Sequence, residues 1–386
     1  MPFRLFSTPD QGDFVALAET LTCRHFRRVA DAMTDWAERI GAPPPPLDVD
    51  SLTPERLSTG LWGPGSGQVL RALGSGRDEA FPWASAQLLV AAVTADAIDE
   101  LELDLACPDW LAVAGASVRG ERIRIRAAAG RLVVSSPADD RLLELARHDL
   151  GEVSVWARAE ADVVRLGSAA AATLADAAHV DQWDPTGCPT GVNSVAFRVA
   201  IEEASAALES ALPRTYVWIA ALLREVTALA DPGLGTRSSS SILWPGHARM
   251  SNGASLVQAI TMLVHECCHQ YYYLTQCFAP TAAPQAPEVH SVLKGTRRPL
   301  ERVLLGFHAF GNVLLVQEAL VADRHLVGAG VERELAATRR AVVGLDDALA
   351  PWWETHLEQA GKDLYLPLRA RLVEAGLLAG AARAAG

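Results

Sequence analysis

Apolar residues recur at steps of three to five over 11–41, where Phe14, Leu17, Leu21, Phe26, Val29, Met33 and Trp36 line one side of a long helix. Four prolines at 43–46 stop it and stiffen the connector that follows. Further helices are expected over 82–101, ending in the acidic run 96–104, and over 194–211, 214–230, 255–272, 299–327, 331–349 and 363–376. Gly60, Gly63, Gly65 and Gly67 read as a structural turn, because no Lys-Ser/Thr pair follows to make a phosphate cradle.

The pattern changes in the middle of the chain. Arg122, Arg124 and Arg126 alternate with Ile123 and Ile125, the β-branched run 131–136 follows, and Gly130 lies between them, which predicts a hairpin with a solvated arginine face. Strands are also expected at 152–157, 161–166 and 236–244, the last followed by a turn at Pro245 and Gly246. Loops are expected over 181–193 and 279–287. The resulting fold class is mainly α with a small antiparallel β element, an α+β protein. It divides into a helical region 1–105, a β-containing region 106–190 and a helical region 191–386.

Composition narrows the function. A chain of 386 residues with 50% hydrophobic and 21% charged residues can bury a large core. The net charge of -12 argues against a nucleic-acid or anionic-membrane partner. The chain opens on Met1, Pro2, Phe3 and Arg4 without an apolar leader, and no apolar run reaches spanning length, so a cytoplasmic location is expected. The six cysteines Cys23, Cys107, Cys188, Cys267, Cys268 and Cys277 show no CxxC spacing and are expected as reduced thiols, with Cys267 and Cys268 packing rather than ligating.

The chemistry concentrates in 262–274. His265, Glu266 and His269 form a His-Glu-x-x-His motif inside a stretch free of proline and glycine, with a helix start signal at Ser251, Asn252 and Gly253. Two histidines four apart share one helical face, so their ring nitrogens can meet at one divalent ion. The third ligand decides the reaction. The candidates are His290, His308, Glu318, Asp323 and His325; the metzincin continuation after His269 is missing. With Glu318 the site is that of a zinc peptidase in which Glu266 activates a bound water. With His308 it is a three-histidine centre. On one helix the two candidates are separated by a rise of about 15 Å, so they exclude each other at bond lengths of about 2 Å. His308 is favoured by Asn312 one turn on, a polar support or cosubstrate contact, and by Arg297 and Arg298 ahead of the helix, able to clamp a carboxylate. The metal site is therefore expected on a helix pair in the C-terminal half.

The serine-rich strand with Pro245 and Gly246, then Leu263 and Val264 running into the motif, then Arg298, Pro299 and Leu300 before a helix rich in Phe and His, together resemble a known family. These are the HExxH-motif proteins found beside ribosomal peptide natural-product clusters, understood as iron(II)- and 2-oxoglutarate-dependent peptide β-hydroxylases. The resemblance covers 236–320. It implies Fe(II) held by His265, His269 and a third histidine, 2-oxoglutarate chelated to it with its distal carboxylate on Arg298, and hydroxylation at Cβ in a peptide or carrier-tethered amino acid. The family's downstream histidine often stands one turn earlier, where this chain has Leu305. Glu266 has no obvious task in such a hydroxylase.

Overall fold

The structure is a computed structural model that describes residues 3–53, 61–136, 139–150, 153–176, 190–230 and 237–379. The helices are α1 (Phe14–Ile40), α2 (Pro64–Ser75), α3 (Phe81–Thr94), α4 (Val195–Ala211), α5 (Pro213–Leu222), α6 (Leu256–Gln276), α7 (Leu300–Ala322), α8 (Ala329–Leu349), α9 (Trp353–His356) and α10 (Gln359–Glu374). The strands are β1 (Leu101–Val113), β2 (Ala116–Ala128), β3 (Arg131–Ser136), β4 (Asp139–Leu150), β5 (Val153–Ala157), β6 (Val163–Leu166), β7 (Ala170–Leu174), β8 (Glu225–Leu229), β9 (Ser238–Ser241), β10 (Trp244–Ser251), β11 (Glu288–Ser291) and β12 (Thr296–Pro299). The protein is α+β. It divides into two compact units, one of Met1–Leu17, Ala207–Ile219 and Leu256–Gly386, the other of Ala18–Ala206 and Ala220–Ser255. Each unit is assembled from separate stretches of chain.

In the unit that starts at Ala18, β1 to β5 form an antiparallel meander in chain order. Ile123, Ile125, Leu132, Val134 and Leu145 turn to a core shared with Phe26, Met33, Trp36, Trp83 and Leu88. The arginine face is solvated, as expected: Arg122 pairs with Asp104 at 2.6 Å, Arg126 with Glu102, and Arg131 with Glu144. A second sheet has the order β6-β7-β8-β10-β9, with β8 parallel to both neighbours.

Several expectations change here. The helix over 82–101 stops at Thr94, and its acidic tail enters β1. The helix over 214–230 stops at Leu222, because Glu225, Val226, Thr227, Ala228 and Leu229 are all buried as the middle strand of a sheet. The glycine-rich segment is not all turn. Pro64 starts α2, and a Cβ on Gly67 would lie 2.1 Å from the Leu243 carbonyl oxygen. Pro245 and Gly246 stand inside β10, where Gly246 takes a φ of 70°. Most of the 181–193 loop lies outside the described residues.

In the other unit, α7 is the central helix, packed against α6, α8 and α10. It is long and apolar enough to cross a membrane, but 78% of its most apolar window is buried, as in a core helix. The hairpin β11–β12 leads into α7, and a 3-10 turn at Phe3–Phe6 packs against α6 and α10.

Candidate metal centre

Helix α6 runs unbroken through the motif because 255–276 contains neither proline nor glycine and carries buried Val257, Ile260, Leu263, Val264 and Tyr271. His265 and His269 are successive on one face, their ring centroids 4.5 Å apart at 62°. Glu266 is 1% exposed and sets one carboxylate oxygen 3.4 Å from His269 Nδ1. One ligand atom from each of the three lies within 4.8 Å of the others, the only such group among the described residues. Burial and the neighbouring His269, partly opposed by Glu266, hold His265 down to about 4, so its ring is neutral at neutral pH and has a lone pair to give.

The donor set fits a first-row divalent ion. Imidazole with carboxylate suits zinc or iron and does not suit magnesium or calcium, which take oxygen ligands alone. Phe310 of α7 stands edge-on to His265 at 4.8 Å, and Tyr273 lies 5.9 Å from His269. The cysteines follow expectation: Cys267 Sγ donates to the Trp218 carbonyl at 3.2 Å, and burial pushes the Cys268 thiol up, so neither is poised to ligate.

The structure does not bring His308 into this cluster. It is fully buried, and its Nε2–H donates to the Phe6 carbonyl at 2.7 Å. The physical reason is helical phase. His308 precedes Phe310 by two residues, about 200° around α7; its ring lies 6.5 Å from Tyr272 of α6 and from Trp218, with Nε2 committed to the Phe6 carbonyl. Gln317, seven residues beyond Phe310, confirms that phase by donating to Thr261 at 2.9 Å. Asn312 is buried, and its Nδ2 donates to the Ser7 and His308 carbonyls at 2.9 and 2.8 Å.

The other candidates are also occupied or remote. Glu318 is ion-paired with Arg339 of α8, and His290, Asp323 and His325 are exposed outside the cluster. Arg297 is exposed on β12 and donates to the Glu288 carbonyl. Arg298, paired across the hairpin with Val289, is half-buried, and its guanidinium makes no hydrogen bond or ion pair among the described residues. Sequence reasoning did not single out Phe310. Its signal was available as the residue on the same face of α7 as Gln317, opposite His308. No family model matches the chain, and none of the curated proteins matches it.

Proposed function

We propose that the chain is an Fe(II)- and 2-oxoglutarate-dependent oxygenase that hydroxylates a side chain, at Cβ, of a peptide or carrier-tethered amino acid. The observation that carries this reading is the convergence of His265, Glu266 and His269 within 4.8 Å, beside the sequence likeness over 236–320. Two imidazoles converging on one ion, with Glu266 beside them, leave coordination positions open, as non-haem iron oxygenases require. The bound iron and keto acid would supply the oxidising power, the keto acid losing CO2 to become succinate and the two oxygen atoms of O2 going one to succinate and one to the hydroxylated product. The chain's own residues do the rest. His265 and His269 hold the ion through their ring nitrogens, Glu266 balances its charge or holds a proton beside His269, and Phe310 shields the His265 side from water. Arg298 is the arginine that keeps its guanidinium for the distal carboxylate.

One observation favours a second reading. A carboxylate buried beside His269 is where a hydrolase places the base that deprotonates metal-bound water, so a zinc peptidase using Glu266 remains the competing mechanism. In that reading Glu318 is not at hand as the third ligand, being paired with Arg339.

Anaerobic reconstitution separates them. The Fe(II)-loaded chain with 2-oxoglutarate and O2 is expected to release succinate in step with a peptide product one oxygen heavier. A zinc-loaded chain that cleaves peptides, with no succinate from the iron form, would overturn the oxygenase.

A further inference from the structure

Helix α6 has two working faces. His265 and His269 are on one; Cys267 and Tyr271, each two residues further on, are about 200° round and form the back. The back face is held by buried contacts. Tyr271 OH donates to the Trp218 carbonyl at 3.0 Å, its ring lies 3.9 Å from Trp218, and Phe6 and Phe14 pack on it at 4.9 and 6.2 Å. Phe6 and Phe14 are thus part of the wall behind the histidines. What holds Phe6 in place is α7: His308 donates to the Phe6 carbonyl at 2.7 Å, and Asn312, one turn on, donates to the Ser7 carbonyl at 2.9 Å. Ser7 Oγ adds a bond to the Leu364 carbonyl at 2.8 Å. All of these groups are buried.

We propose that His308 and Asn312 are positioning residues that clamp the N-terminal segment onto the back of α6, and that this clamp sets how His265 and His269 present themselves to the metal. The inference rests on the metal reading above and assigns His308 a role other than ligand. The ring acts as a single donor. Its proton is on Nε2, since the Phe6 carbonyl can only accept, and Nδ1 has no hydrogen-bond partner among the described residues. A glutamine amide can replace that donor; an aliphatic side chain cannot.

The test is titration of the full metal-free chain with Co(II), read by calorimetry and by the visible cobalt spectrum. His308→Gln is expected to bind with wild-type affinity and spectrum, whereas His308→Leu and Asn312→Leu lose about tenfold or more in affinity and shift the cobalt bands. Asn312→Leu decides the matter if His308→Leu does not fold. The clamp is overturned if His308→Gln abolishes Co(II) binding as completely as His265→Gln, which would make the ring a ligand. It is overturned equally if both leucine variants bind as wild type does. A wild-type chain that takes up no Co(II) refutes the metal reading itself, and with it the clamp's purpose, before any substitution is made.

Discussion

Glu266 separates the two chemistries at the level of one side chain. Glu266→Gln keeps its volume and removes its charge. In an oxygenase the variant should hold Fe(II) about tenfold more weakly and still turn over. In a peptidase it should lose a factor of about 10²–10⁴ in rate, the loss that follows removal of a general base. Metal titration alongside turnover reads both. His25 makes a pH prediction. Its ring is 5% exposed, Nε2 has no hydrogen-bond partner among the described residues, and burial with the nearby Arg28 holds it down to about 4. The unfolded chain takes up this proton near the ordinary value of 6.5 and the folded chain does not. Stability should therefore be complete above that value and fall as pH drops toward 4, by up to about 3 kcal/mol from this group. His25→Phe, still able to pack on Trp62, should flatten that part of the curve in urea unfolding at pH 7 and 4.5. Gly67→Ala should cost about 1–3 kcal/mol, since its new methyl would meet the Leu243 carbonyl; thermal melting checks it.

Elements are tied together by a few buried polar groups. Asp346 of α8 accepts from Tyr365 OH at 2.6 Å and from Arg369 Nε at 3.0 and 3.1 Å, both on α10. Asp346→Ala should lower unfolding stability by about 2 kcal/mol, because it strands the buried Tyr365 phenol and removes the ion pair of the half-buried Arg369; denaturant titration measures it. Legibility differed between elements for physical reasons. Long amphipathic helices such as α1 and α6, and the hairpin β2–β3 with Gly130 at a φ of 71°, carry their period and turn chemistry in the chain. The strand β8 does not. A fully buried five-residue strand has no alternation to display, so it reads as the end of the preceding helix. The start of β1 reads as a helix tail for another reason: the acidic run 96–104 carries straight on from α3 into Leu101.

For the molecule as a whole, a metal that binds only the folded chain must stabilise it. At a hundred times its dissociation constant the ion should add about 2.7 kcal/mol, seen as a higher melting temperature that a chelator reverses. His265→Ala should abolish the shift. The motif itself was fully legible: a four-residue spacing inside an uninterrupted helix forces His265 and His269 onto one face, and the structure places them 4.5 Å apart. The partner on α7 was not. Sequence lists which polar residues a helix carries, but which of its faces meets a neighbour depends on packing from all sides. Here Phe310 meets His265 and Gln317 meets Thr261, whereas His308, 6.5 Å from Tyr272, gives its Nε2 proton to the Phe6 carbonyl. Local periodicity thus determined the elements and the paired histidines. Tertiary packing alone decided the rotation of α7, the fate of His308 and the burial that made strands of 225–229, because those depend on contacts between residues far apart in the chain.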